Sequence, residues 1–289
     1  MNVEYTLRAN SHYRFQKHAL SAFKGLALTL IILVVISPIV WMVITSFKSK
    51  VEMYTIPVNY WPTMPTLEHF EALFSRSYLF RSIYNSLILS TMAPLLCVVC
   101  ATMSAYAIAR FRFRGNRLVL MFFLMTQMLP SATAIIPMYV TLARMGLINQ
   151  ISTLVFMLGA GGISFGVILL QGFIANMPDT IEEAALVDGC TKYQTFWHVS
   201  LPLLKGGIFT VFIFRFIDCW NTTYTSMVYL DSPHNLTLPV LISSLISRVD
   251  INWGQVAAAT TLSLIPTCIL FGVMKNLFVE GITAGAVKG

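Results

Sequence analysis

Charge is what this sequence has least of. Of its 289 residues only 11% are Asp, Glu, Lys or Arg, while 56% are hydrophobic. A soluble domain needs more charge than that to cover its surface, so the composition excludes a freely soluble globular protein and points to a polytopic membrane protein. Reactive chemistry is scarce too. There is no G-x-x-x-x-G-K-[ST] stretch, which removes one route to cradling nucleotide phosphates. H-E-x-x-H is missing, and His and Cys never gather at metal-ligand spacing, so no metal site is expected. The five cysteines are scattered. Cys97 and Cys100 form C-x-x-C, but in mid-span and outside any βαβ context, where small buried side chains are the reading preferred over redox work. The net charge of +7 implies no nucleic-acid partner. The basic residues cluster in short inter-helix loops, as positive-inside topology requires.

Long apolar runs are what the chain has in abundance. They suggest six spans, about 25–47, 85–109, 118–142, 152–174, 206–229 and 256–279. A helix of ~20 residues at 1.5 Å rise crosses a hydrocarbon layer of ~30 Å. The first run is too long for a signal-peptide core and no cleavage site follows, so it is expected to stay as a span. Pro38 should kink it, Pro130 and Pro137 should break the third span, and Pro266 lies in the sixth. An N-tail, 1–24, carries Arg8, Arg14, Lys17 and Lys24. A loop at 48–82, rich in Pro and aromatics, is too polar to span and too short to be a domain. Residues 110–117 hold four arginines. Six spans put both termini on one side, and placing the N-tail inside puts twelve basic residues in cytoplasmic segments against six outside. The fold class expected is therefore an all-α membrane protein of six transmembrane helices, with N- and C-termini (C-tail 280–289) cytoplasmic.

Between spans four and five lies a polar, acidic insert, 176–202. Pro178 suits the first turn of a helix, and Asp179, Glu182 and Glu183 crowd its positive end. Ile181, Ala184, Ala185 and Asp188 recur on one face, mostly methyl groups, which another backbone could approach closely. Gly189 supplies the stop. Thr191 and Gln194 read as a capping box for a second short helix through Trp197 and Val199, and Pro202 closes the hairpin. On the cytoplasmic side, such a helix is suited to be gripped by a soluble partner.

Few ionisable groups lie within the spans. Arg215 and Asp218 are three residues apart on span five, where charge is costly, so they should pair or line a wet cavity. Trp220 and Asn221 follow, an aromatic plane and an amide of the kind that hold a sugar, with a tryptophan of the interfacial belt as the competing explanation. Ser164 and Gln171, on span four, complete a candidate solute path. Ser164 also sits in Gly162-Ile163-Ser164-Phe165-Gly166, the G-x-S-x-G of serine hydrolases, but span six offers no histidine and a serine without a base is a poor nucleophile. Gly162 and Gly166 are better read as a helix-packing face, widened by Gly159 and Gly161.

Glu183-Ala184-Ala185, three residues, Gly189, nine residues, then Val199-Ser200-Leu201-Pro202 matches E-A-A-x3-G-x9-I-x-L-P with valine for isoleucine. This stretch resembles the signature loop of the permease subunits of ABC importers. Thr66-Leu67-Glu68, Asn85-Ser86, Ala105-Tyr106-Ala107 with the 110–115 loop, Trp220-Asn221 and the tail 284–289 extend the resemblance over nearly the whole chain, to the carbohydrate (maltose and glycerol-phosphate) branch. The resemblance implies a type I ABC importer permease fold in a bacterial inner membrane and no catalysis by this chain. Glu182, Glu183, Ala184, Ala185, Asp188, Gly189 and Pro202 would couple it to a cytoplasmic ATPase dimer. The ATP and Mg2+ would be held there, and this chain would bind no cofactor itself. A second homologous permease subunit, a solute-binding protein docking on 48–82 and 230–255, and membrane lipid are the other partners implied. Arg215 and Asp218 depart from the family pattern. Two alternatives compete: an ion-coupled secondary transporter, for which Asp218 is the one intramembrane carboxylate, and a non-transporting scaffold that uses the hairpin only to recruit a partner.

Overall fold

The computed structural model describes the backbone of residues 2–111, 113–246 and 251–286. Arg112, Arg248, Asp250 and the tail 287–289 lie outside the described residues, as do the side chains of Arg8, Arg14 and Lys17. The described chain is all helical, without a strand and with a single bridge between Ile246 and Ile251. It divides into two compact units, Met1–Leu73 with Asn252–Thr261, and Phe74–Ile251 with Leu262–Gly289.

In the first unit, α1 (Asn2–Ser46) runs unbroken through the expected tail as well as the expected span. No Gly or Pro precedes Gly25, so nothing interrupts the i→i−4 ladder there. Pro38 sits inside the helix. Thr29, Ser37 and Thr45 donate their hydroxyls back to the carbonyls of Gly25, Val34 and Trp41, so these polar groups are satisfied within the helix, as an apolar environment demands. The loop after it is well tied. Thr66 N donates to Phe47 O at 2.8 Å. Glu52 Oε1 accepts from Thr63 N at 2.6 Å, and Glu68 Oε1 accepts from Lys50 N at 2.8 Å. Two short helices, α2 (Lys50–Met53) and α3 (Glu68–Phe74), flank those bonds.

The second unit is organised on α4 (Leu79–Arg110), which packs along α7 (Ile151–Ala175) and α11 (Lys205–Trp220). Leu89, Ala93, Cys97, Ala101 and Ala105, four apart on α4, are all buried and form one ridge of mostly small residues. Against it lie the glycines of α7. A Cβ on Gly166 would come 2.6 Å from Ala101 Cβ, and one on Gly159 would come 2.7 Å from Leu96 Cδ2. Gly161 faces open space, so it has no part in the packing face expected to include it. Cys97 therefore fills the core as a small apolar side chain, and all five cysteines are free thiols.

Among the described residues, four helical stretches are each long and apolar enough to cross a membrane: Leu20–Ser46, Leu79–Arg110, Ile151–Ala175 and Trp253–Lys275. The last lies within α14 (Trp253–Ala286), which also takes in much of the expected C-tail. The number rises to six if each of two bent pairs counts as one span. The first pair is α5 (Asn116–Met128) and α6 (Ser131–Arg144), bent by 96° at the break before Ser131, where Pro130 has no N–H to continue the helix; Pro137 is absorbed inside α6. The stretch expected as one fifth span, 206–229, is instead divided. α11 ends at Trp220, and Asn221 Nδ2 donates to Ile217 O at 2.9 Å, capping the last turn. A new helix, α12 (Tyr224–Tyr229), follows after Thr223.

Candidate functional site: the acidic hairpin and the charges on α11

The acidic insert folds as the sequence requires at its two caps. α8 (Asp179–Val187) begins after Pro178 and ends in a full Schellman motif. Gly189 N donates to Leu186 O, Cys190 N to Ala185 O at 3.0 Å, and Gly189 takes φ +89°. α9 (Lys192–Thr195) opens on the Thr191–Gln194 capping box, with both reciprocal bonds formed. The second helix then departs from the expected form. A π-helical turn, Phe196–Ser200, leads into α10 (Leu201–Leu203). Pro202 lies within α10 and does not close the hairpin; the chain bends by 67° between α10 and α11. Phe196 anchors this base on Tyr106 of α4, ring centroids 4.7 Å apart.

The expected face of α8 is split. Ile181, Glu183, Ala184, Leu186, Val187 and Asp188 are exposed, as are Gly189 and Pro202, but Glu182 and Ala185 turn inward. The inward carboxylate explains the division. Glu182 Oε1 accepts from Ser200 Oγ at 2.6 Å, and Glu182 Oε2 lies 2.8 Å from Arg110 Nε at the end of α4. Arg110 also pairs with Asp179 and donates from Nη2 to Met177 O at 3.0 Å. One guanidinium thus holds two carboxylates and a carbonyl of the α8 N-terminus. The sequence pointed to Arg110 only as a topogenic charge. The signal that could have shown more is the excess of acid in the first turn of α8, which wants a cation beside it.

On α11, Arg215 and Asp218 pair with each other, one of the two arrangements expected. Arg215 also donates from Nη2 to Leu158 O on α7 at 2.7 Å. Its guanidinium fits there because residue 162 is glycine: a Cβ would stand 2.3 Å from Arg215 Nε. Gly162 therefore makes room for an arginine while Gly159 and Gly166 take the α4 ridge. Asp218 keeps 64% of its side chain exposed, so it presents carboxylate to its surroundings while Arg215 is largely enclosed. Trp220 is 1% exposed, stacked on Phe216, with Nε1 donating to Ser263 at 3.2 Å. It offers no free ring face for stacking a sugar, whereas Asn221 is exposed. Ser164 Oγ lies 2.7 Å from Thr126 Oγ1; its partner is a hydroxyl and not an imidazole, so the G-x-S-x-G stretch here has no general base. Gln171 is half-buried farther along α7. The six candidate path residues are thus not gathered into one site: Arg215, Asp218 and the buried Trp220 lie on α11 with Asn221 at its cap, while Ser164 and Gln171 lie on α7.

At the start of α4 a second network holds the 230–237 loop. Asn85 Nδ2 donates to the carbonyls of His234 and Leu236 at 3.0 Å, and Arg81 Nε to His234 O at 2.9 Å. Leu238 N, opening α13 (Leu238–Ser244), donates to Ser86 Oγ at 2.7 Å.

Residues 97–283 match the family model described as the binding-protein-dependent transport system inner membrane component. The chain is similar to the diacetylchitobiose uptake system permease protein of Streptomyces coelicolor, 34% identical over 252 residues that cover 87% of this chain and 91% of the relative. It is similar also to an inner membrane ABC transporter permease protein of Escherichia coli, 30% identical over 92% of this chain and 95% of the relative. Its fold resembles a chain in the crystal structure of a bacterial ABC transporter involved in the import of the acidic polysaccharide alginate. That likeness has a TM-score of 0.79 at 21% identity and covers 90% of this chain and 97% of the other.

Proposed function

The chain belongs to the inner membrane components of binding-protein-dependent transport systems, and on that premise we propose that it is one of two permease subunits of an ATP-driven sugar importer. As a member of that family it is a multi-pass inner-membrane permease subunit and not an enzyme, with ATP hydrolysed on separate subunits. The observation that carries the coupling role is the outward face of α8, where Ile181, Glu183, Ala184, Leu186, Val187 and Asp188 are exposed, terminated by Gly189 at φ +89°. We assign that face to a groove on a cytoplasmic ATPase. In this reading the chain crosses six times with both termini inside, α5 with α6 making the third crossing and α11 with α12 the fifth. Closure of an ATPase dimer on ATP draws the two coupling helices of a permease pair together. The bundle then switches from inward-open to outward-open because ATP binds the closed dimer better than the open one.

The sugar class is supported by the diacetylchitobiose permease relative and by the chemistry on α11. A carboxylate held in place by Arg215 leaves acceptor capacity toward the hydroxyls of a neutral solute, and Asn221 adds an amide nearby. An ion-coupled mechanism is disfavoured by family membership, and Asp218 already has a cationic partner. The complex purified through a tag on this chain is expected to bring a soluble binding protein whose thermal stability rises with an oligosaccharide. Uptake of that sugar into proteoliposomes should require ATP and survive an ionophore. Asp218→Ala should raise its half-saturating concentration by roughly tenfold, the loss of a charged hydrogen bond of about 1.5 kcal/mol. A binding protein answering only to amino acids or metal ions contradicts the solute class. An unchanged half-saturation in the variant returns Asp218 to a structural role.

A further inference from the structure

Arg110 closes the one charged contact that joins the end of α4 to the coupling hairpin among the described residues. It touches Asp179, Glu182 and Met177 O at once, and Glu182 is braced in turn by Ser200 from the π-helical turn. Both members of the Arg110–Glu182 pair are largely enclosed, with side chains 15% and 11% exposed. A pair so shielded is far stiffer than a solvated surface bridge, and losing one partner leaves a buried charge uncompensated. The other end of the same helix holds the 230–237 loop through Arg81, Asn85 and Ser86. Twenty-five residues separate Asn85 from Arg110, a rise of about 38 Å. α4 is thus one continuous helix, Pro94 included, fastened by polar bonds at both ends, to the hairpin and to the loop.

We propose that Arg110 is the positioning residue through which displacement of α8 is passed into α4 and so to the loop at its far end. The proposal rests on the reading of α8 as the ATPase-docking helix and adds the residue that carries its movement into the bundle. Apart from Arg110, the hairpin rests on α4 through the Tyr106–Phe196 ring contact at its base and the Tyr106 hydroxyl beside Ser200 and Glu182, neutral contacts that yield more readily than an ion pair with three partners. With Arg110 in place, α8 and the last turn of α4 move as one body. Without it, α8 follows the ATPase while α4 lags.

The test uses the assembled complex with the ATPase and binding protein that accompany it, and a reporter thiol at Tyr84→Cys, an exposed position near the loop end of α4. With Cys100, Cys190 and Cys268 replaced by serine and the protein otherwise wild type, ATP with orthovanadate should change the rate of maleimide labelling at that thiol. Arg110→Met should leave co-purification of the ATPase intact and reduce that change by about tenfold, with Arg110→Lys restoring part of it. Glu182→Gln should do the same as Arg110→Met, and the double variant should be no worse than either alone, because both remove one contact. General destabilisation would lower the yield of complex without altering the response per assembled molecule. A full labelling response in Arg110→Met overturns the proposal while leaving the docking of α8 untouched, as do additive effects in the double variant. A complex in which even the wild-type thiol ignores ATP contradicts the docking reading itself, and this inference falls with it.

Discussion

Replacing Gly189 with proline is expected to abolish transport while leaving an inserted, folded permease in the membrane. Two physical requirements meet at this position. The φ of +89° is closed to proline, whose ring fixes φ near −65°. The Gly189 N–H, which donates to Leu186 O in the Schellman motif, would also be lost. Space is not the constraint, since a Cβ there would meet nothing within 4 Å. The substitutions therefore separate by backbone preference alone. Asn, which enters the left-handed region readily, should stay near wild type. Ala should cost about 1 kcal/mol and Asp a similar amount. Pro should redirect the chain after α8 and misplace its exposed face. Uptake per assembled complex, measured for Asn, Ala, Asp and Pro, should be highest for Asn, reduced for Ala and Asp, and lost for Pro. Equal uptake by the proline and asparagine variants would mean that the geometry after α8 has no bearing on coupling.

The glycines of α7 give the second large effect, and they differ among themselves. Gly166→Val places branched carbon against Ala101 Cβ, from which even an unbranched Cβ at residue 166 would stand only 2.6 Å away. Neither atom can rotate aside, so α4 and α7 must separate. Overpacking of this kind costs about 1–3 kcal/mol, roughly 2–5 °C in Tm for a chain of this size. Gly161→Val meets open space and should change Tm by less than about 1 °C. Gly162→Val strikes the Arg215 guanidinium, a side chain that can move, so its effect should fall on the Arg215–Asp218 pair more than on helix packing. Melting of the detergent-solubilised complex, set beside sugar half-saturation, resolves the three. A Gly161 variant as unstable as the Gly166 variant would contradict the assignment of faces.

These contrasts show which features the sequence made legible. α7 was read within a residue at each end because a long, nearly uncharged stretch has no other low-energy state in a membrane. The caps at Gly189 and at Thr191–Gln194 were legible because each depends on residues within a few positions. What the sequence hid is tertiary. The Arg110–Glu182 pair joins residues 72 apart, and nothing local says which carboxylate an arginine will choose. Inward rotation of Ala185 follows from that same pairing, since Glu182 lies three residues earlier on the same side of α8. Gly162 looked like part of a single glycine stripe, and only the position of Arg215 on a different helix gives it a separate task. Trp220 illustrates the opposite error: the aromatic expected to meet solute is buried against Phe216 and Ser263, because the face of α11 that carries it turns into the unit. Asp218, two residues earlier, faces the other way.

Cross-linking from α8 tests the central claim most directly. Ala184 is exposed and its neighbour Ala185 is buried, so the pair distinguishes docking through the outward face from mere proximity. With half-buried Cys190 and exposed Cys268 replaced by serine, Ala184→Cys alkylated with a maleimide–benzophenone and reassembled with the ATPase should give an adduct with it on irradiation, by insertion of the excited ketone into a C–H bond, and Ala185→Cys should not. An Ala184→Cys complex that holds its ATPase yet gives no adduct, or an Ala185→Cys variant that reacts equally well, would contradict the account of this hairpin as the coupling element of an ATP-driven permease.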